Sequence, residues 1–167
     1  MVMRFPIRYV PKKLTQKDKK KQVNMLLKSK KMYKENKYFT RKKVKSFKSK
    51  PSSHIMNARK IYNTEKITPN KYLSKATGCS IQALQKIVNK GEGAYYSSGS
   101  RPNQTAQSWG FARLASSITG GKSAAVDYNI LYDGCNHKKK AFILANQARK
   151  KYKYGHSKTR KIKILEK

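Results

Sequence analysis

Acids, histidines and cysteines are the side chains with which this 167-residue chain could do chemistry, and their spacing argues against it. General acid–base catalysis needs two titratable groups converging on one reacting centre. Of seven acids, only Asp127 and Asp133 form a close pair, and six positions apart on a helix they do not share a face. His54, His137 and His156 stand in unrelated basic contexts, and no Ser-His-Asp order emerges. Cys79 and Cys135 make no CxxC pair, so they read as two small, partly buried thiols that need not meet. A zinc site built from Cys79, Cys135 and His137 lacks the close ligand spacing that such sites use. The inventory predicts a protein that is not an enzyme, with no catalytic residue, metal ligand, cofactor or small-molecule substrate.

Binding chemistry is better supplied. Gly120-Gly121-Lys122-Ser123 invites a phosphate-loop reading, because glycine amides and a lysine at a helix start cradle phosphates. A full loop needs a glycine five positions before Gly121, but Ser116 stands there, and the segment before it reads as helix where a strand is required. The motif therefore reads as a helix stop followed by a Ser123 cap, with Lys122 still placed to hold a phosphate or carboxylate. The block from Gly91 to Thr105 sets Tyr95, Tyr96, several hydroxyls and Arg101 on what reads as a glycine-permitted loop, with Trp109 and Arg113 soon after. Such aromatic faces beside an arginine can stack bases, fill a subunit interface or fold back on the domain's own core.

From Tyr72 to Asn89 a glycine turn, a serine cap two residues on, and apolar Leu73, Ile81, Leu84, Ile87 and Val88 fit two short helices meeting at an angle. Over these 18 residues the segment resembles the helix-turn-helix of lactose-repressor-type regulators, departing from it where that family usually has a small residue packed between the helices, a place that falls here to Ser74. The resemblance implies that Ser80, Gln82, Gln85 and Lys86 face the major groove; a plain packing role for the pair stands beside it. The Gly91–Thr105 block, with Ser108-Trp109, Ala112-Arg113-Leu114 and Thr119-Gly-Gly-Lys122, resembles an uncharacterised family of large nucleocytoplasmic DNA viruses with relatives in some tailed phages. The likeness extends to Lys37-Tyr38-Phe39-Thr40-Arg41-Lys42-Lys43-Val44-Lys45-Ser46-Phe47. It implies a viral protein and carries no established activity.

The elements that must position these residues are mostly helical. Pro6 and Pro11 hold Arg4–Pro11 extended, and Thr15 with Asp18 resembles a capping box for a helix from Gln16 to about Tyr38, with Val23, Leu26, Leu27 and Tyr33 on a narrow stripe. Arg41–Lys50 reads as a solvated basic loop. Further helices follow from Ser53 to Asn63, after Thr68-Pro69, from Thr105 through Phe111, Leu114, Ala115 and Ile118, from Ser123 with Val126, Ile130 and Leu131 on one face, and from Lys138 to Tyr152 burying Phe142, Ala145 and Ile143. Ile162 and Ile164 alternate as in a strand. The expected fold is mainly α, a small multi-helix domain of about six helices with basic, partly extended N- and C-terminal arms.

Charge assigns these elements to a partner. The 41 lysines and arginines against seven acids fall as +17 in residues 1–50, +6 in 51–137 and +11 in 138–167, so the chain reads as a basic N-terminal arm, a central helical domain and a basic C-terminal helix and tail. Arms so poor in apolar residues tend to order only on a partner, and that partner is a polyanion. Lysine outnumbers arginine 33 to 8, which favours contact with phosphates or carboxylates over base reading, with Lys42, Lys43, Lys45, Arg101, Arg113 and Lys122 as candidate contacts. The longest wholly apolar run, Ala141–Ala145, is far too short to span a bilayer, and no apolar leader precedes Val10, so a soluble, intracellular protein is expected. The leading expectation is a non-enzymatic virion component, a minor capsid or core protein binding acidic capsid proteins or packaged nucleic acid, located in the virion and in host cytoplasm or nucleus during assembly. A DNA-binding protein of regulatory or packaging type using the helix-turn-helix is the alternative, and a ribosome-like RNA-binding protein the third.

Overall fold

The computed structural model describes residues 2–165, and among them the protein is mainly α. In chain order the elements are β1 (Val2–Pro6), α1 (Gln16–Lys34), α2 (Ser53–Tyr62), α3 (Lys71–Thr77), α4 (Ile81–Ser97), α5 (Ala106–Ile118), α6 (Lys122–Val126), α7 (Tyr128–Gly134), α8 (Lys140–Lys151) and β2 (Lys161–Leu165). A single 3-10 turn, Lys153–Gly155, precedes β2. No helix among the described residues is long and apolar enough to cross a membrane.

The chain forms two compact units that interleave in sequence: residues 1–50, 93–106 and 158–167 in one, 51–92 and 107–157 in the other. The first unit takes in both chain ends. β1 and β2 pair antiparallel, with Arg4 opposite Lys163 and Phe5 opposite Ile162. Instead of forming unpacked arms, these segments bury Phe5, Val10, Leu14, Val23, Leu26 and Val44, and Tyr95 is buried in the same unit. The apolar residues that looked too sparse for a core are sufficient because the 93–106 segment adds to them.

Helix α1 starts where Thr15 accepts a hydrogen bond from the Asp18 N–H, the expected cap, and ends four residues early. Asn36 turns left-handed (φ 60°), the Asn36 N–H donates to the Tyr33 carbonyl and the Lys37 N–H to Met32, a Schellman stop. Its buried stripe is Gln22, Val23, Met25, Leu26 and Ser29, leaving Leu27 and Tyr33 exposed.

In the second unit α2 to α8 surround one core that includes Leu73, Leu84, Ile87, Leu114, Ile118, Leu131 and Phe142. Four expectations need correction here. Ser52 rather than Ser53 caps α2, and Gly121 rather than Ser123 is the N-cap of α6. The helix expected after Ser123 breaks at Asp127 into α6 and α7, which leaves Val126 exposed. On α8, Phe142 and Ala145 are buried as expected, but Ile143, one residue off that face, is 45% exposed.

Gly91 and Gly93 do not open a loop, because α4 runs through both to Ser97. A Cβ on Gly91 would stand 2.6 Å from the Gly110 Cα of α5, and one on Gly110 would stand 2.8 Å from the Val88 carbonyl oxygen. The glycines permit two helices to cross almost backbone to backbone.

Candidate polyanion-binding site

Residues 37–50 of the first unit carry no regular secondary structure, and their side chains alternate. Arg41 and Val44 point inward and are buried; Lys42, Lys43 and Lys45 are exposed. Backbone without a ladder must find other partners, and here Asn103 supplies them. Its Oδ1 accepts from the Val44 N–H at 2.7 Å, while its Nδ2 donates to the carbonyls of Val44 and Phe47. Asn103 takes the left-handed conformation (φ 63°), which asparagine tolerates. Further along, the Ser46 N–H donates to Asp18 Oδ2 at 2.8 Å and the Ser46 hydroxyl accepts from the Thr15 N–H. The Ser46 side chain and then its backbone N–H, both hydrogen-bonding Asp18 and helped by Lys21 and Lys17, hold the Asp18 carboxyl below the usual aspartate range. Lys21 Nζ donates to the Lys43 carbonyl at 3.1 Å. Thr15, Lys17, Asp18, Lys21, Lys45 and Ser46 line a shallow open depression in which three lysines face one acid.

Beneath this segment lies a buried arginine. The Arg41 NH1 donates to Ser29 Oγ at 2.9 Å and to the Tyr95 carbonyl at 2.7 Å, its NH2 donates to Ser100 Oγ at 2.8 Å, and the guanidinium carbon sits 3.8 Å from the Tyr95 ring centroid. The Tyr95 hydroxyl in turn accepts from the Arg41 N–H at 2.9 Å. Burial lowers the Arg41 pKa, and Tyr95, Tyr9 and Tyr96 act in the opposite direction. Of the three roles open to Tyr95, stacking bases, filling a subunit interface or folding back on the core, its full burial with the ring taken by Arg41 fits the third. Tyr96 is partly exposed and meets Tyr95 edge to face. Arg101 is exposed in this unit.

The second unit holds the other expected contacts. The helices α3 and α4 are joined through Gly78 (φ 78°), Cys79 and Ser80, and the Ser80 hydroxyl caps α4 by accepting from the Ala83 N–H. Gln82, Gln85 and Lys86 are exposed with Asn89 at helical spacing, while Ala83, Leu84, Ile87 and Val88 are buried behind them. Gln85 Nε2 donates to Asn89 Oδ1 at 2.8 Å. Ser74, the residue that departs from the repressor pattern, donates its hydroxyl to the Cys79 carbonyl.

Two of the expected contact residues have partners within the unit. Arg113 forks onto Asp127, with Nε and NH2 at 2.9 and 2.7 Å from its two oxygens; Ser117 also donates to this buried carboxylate, and Lys90 Nζ lies 3.9 Å away. An arginine committed to a buried acid is not a free phosphate contact. Lys122 Nζ donates to the Ser157 carbonyl at 2.7 Å. Trp109 is partly buried.

The cysteines correct a further expectation. Cys79 and Cys135 are disulfide-bonded across an antiparallel bridge flanked by hydrogen bonds from Ser80 to Gly134 and from Asn136 to Gly78. His137 stacks on Phe142. An even cysteine count was the one signal that could have suggested the pairing. For Arg41, Asn103 and Asp127 the sequence offers no comparable signal, because their partners lie far away in the chain.

A family model described as "Family of unknown function (DUF5824)" matches residues 6–133. The chain belongs to this family. The DUF5824 match takes in α1, the 37–50 segment, α3, α4 and the Arg113–Asp127 pair, and it ends before Cys135 and α8. Searches of curated proteins and of solved structures find no match.

Proposed function

We propose that this protein is a non-enzymatic structural component of a virus particle that binds a polyanion, packaged nucleic acid or an acidic capsid surface, through the lysine face of its first unit. The observation that carries the reading is the segment bearing Lys42, Lys43 and Lys45, pinned by Asn103 and Ser46 so that its lysines point outward. By sequence that unit carries 25 basic residues against three acids. Lysines held outward on a fixed backbone lose less freedom on binding than those of a loose tail. Viral origin rests on the resemblance of the Gly91–Lys122 and Lys37–Phe47 segments. Fractionating purified particles tests the placement: the protein should travel with the capsid or core fraction, and its absence from particles would remove the structural role. Binding to heparin and to duplex DNA should fall steeply with salt, by a log-log slope of about −0.9 per phosphate contact on the duplex.

A second reading is favoured by one observation, the exposed row of Gln82, Gln85, Lys86 and Asn89 at the start of α4. Glutamine and asparagine can pair bidentately with adenine in a major groove. A regulatory or packaging protein would use this face to prefer some DNA sequences over others.

A further inference from the structure

Tyrosines reach the surface of the first unit where α1 stops. The Schellman turn at Asn36 reverses the chain so that Tyr38 folds back over the helix end, its ring centroid 6.3 Å from Tyr33 and 5.0 Å from Tyr96. Tyr96 rests in turn against buried Tyr95, 5.1 Å away and edge-on. Both contacts of Tyr38 are tilted, at 58° and 53°, and the residue remains 69% exposed; Tyr33 is 38% exposed. An aromatic ring that has two aromatic neighbours and still stays mostly exposed is an unusual use of surface beside so many lysines. Between residues 28 and 43 the chain carries eight basic residues and one acid, Glu35, whose carboxylate lies 3.9 Å from Lys37 Nζ. Lys34 and Lys37, both exposed, adjoin Tyr33 and Tyr38 in the chain, and Lys28 Nζ lies 4.5 Å from the ring centroid of Phe39.

We infer that Tyr38, braced by Tyr33 and Tyr96, is a stacking platform for unpaired nucleobases, so that the first unit binds single-stranded nucleic acid. The inference deepens the polyanion-binding reading and rests on it. Lysines alone would serve any polyanion, but a bare π face among them adds binding only where the ligand also has a flat face to offer. In a duplex those faces already stack on one another, and an acidic protein surface rich in carboxylates has few. Single-stranded binders combine a basic track with aromatic rings in this way, and their stacking tolerates any base.

The test compares the wild-type protein with Tyr38→Ala and Tyr38→Phe, using fluorescence anisotropy on labelled oligothymidylate and oligouridylate of about 20 nucleotides, a duplex of equal length, and heparin as competitor. Tyr38→Ala should weaken binding to one or both homopolymers by about 5- to 100-fold, leave the duplex within about twofold, and be rescued by Tyr38→Phe, which keeps the ring. Because thymine and uracil differ by a 5-methyl group that itself affects stacking, oligodeoxyuridylate set against oligouridylate identifies the sugar. Equal loss on single strand and duplex, or no loss on either homopolymer, overturns the platform. If salt-sensitive binding to duplex and heparin persists in that case, the polyanion reading stands and only the platform falls; if the wild type binds none of these ligands, both fall.

Discussion

Arg41 is 7% exposed, and the groups around its guanidinium are two hydroxyls, a carbonyl and a tyrosine ring. Among the described residues no carboxylate pairs with it. A charge withdrawn from water without a counter-charge is costly unless dipoles replace the solvent, so every one of these partners matters to the fold. Removing the side chain would leave Ser29, Ser100 and the Tyr95 carbonyl short of a donor and open a void against the ring. Arg41→Ala should destabilise the protein by about 2–5 kcal/mol. Arg41→Lys should cost about 2 kcal/mol, because an ammonium cannot bridge three acceptors in the plane of a fork. Lys42→Ala and Lys43→Ala, exposed on either side of the same turn of chain, should stay within about 0.5 kcal/mol. Urea denaturation of the four variants checks this, and similar small shifts in all of them would contradict a buried Arg41. Nothing in Arg41-Lys42-Lys43-Val44-Lys45 marks the first cation as different from the others. Its carbonyl and Ser100 partners lie 54 and 59 residues downstream, and charge patterning does not register pairings at that distance.

At the scale of elements the helices were largely legible, because their caps and apolar periods are local. Thr15 before α1, Asn63 after α2, Gly78 between α3 and α4, and the Phe111 to Ile118 period of α5 all act within a few residues of themselves. The course of α4 through Gly91 and Gly93 was not legible, because glycine weakens a helix on average and the reason for Gly91 lies on another helix. The two glycines therefore predict opposite outcomes. Gly91→Ala drives a Cβ to 2.6 Å from the Gly110 Cα, a backbone atom that cannot rotate away, and should cost about 1–3 kcal/mol. Gly93→Ala meets nothing within 4 Å and should stabilise the helix by about 0.5–1 kcal/mol. Thermal unfolding of the two variants decides it; a Gly91→Ala variant as stable as the wild type would contradict the close crossing of α4 and α5. The disulfide is the other pairing invisible to local pattern. It ties the turn before α4 to the end of α7 across 56 residues, so replacing both cysteines with alanine should lower stability by about 2–4 kcal/mol. Reductant should lower the urea midpoint of the wild-type protein and leave the double variant unchanged, and an insensitive wild type would deny the bond.

Over the whole molecule, sequence order misleads where charge totals do not. The net +34 was legible at once, but it divides between interleaved units, 25 basic residues against three acids in one and 16 against four in the other. The two candidate surfaces fall on different units: Lys42, Lys43 and Lys45 on the first, and Gln82, Gln85 and Lys86 on the second. Their physics differs as well. Lysines neutralise phosphates and release counterions whatever the base sequence, whereas glutamines without charge can change only the preference among sequences. Replacing the three lysines with glutamine should therefore reduce the magnitude of the duplex log-log salt slope by up to about 2.7 and weaken all sequences alike. Gln82→Ala with Gln85→Ala should leave that slope unchanged and narrow the spread of affinities across a panel of duplexes. A lysine variant with an unaltered slope would remove the first surface from the interface, and a glutamine variant with an unaltered spread would reduce α4 to a packing helix. Because the two glutamines carry no charge and the three lysines act on phosphates, the two results are independent, and either surface can be lost without bearing on the other.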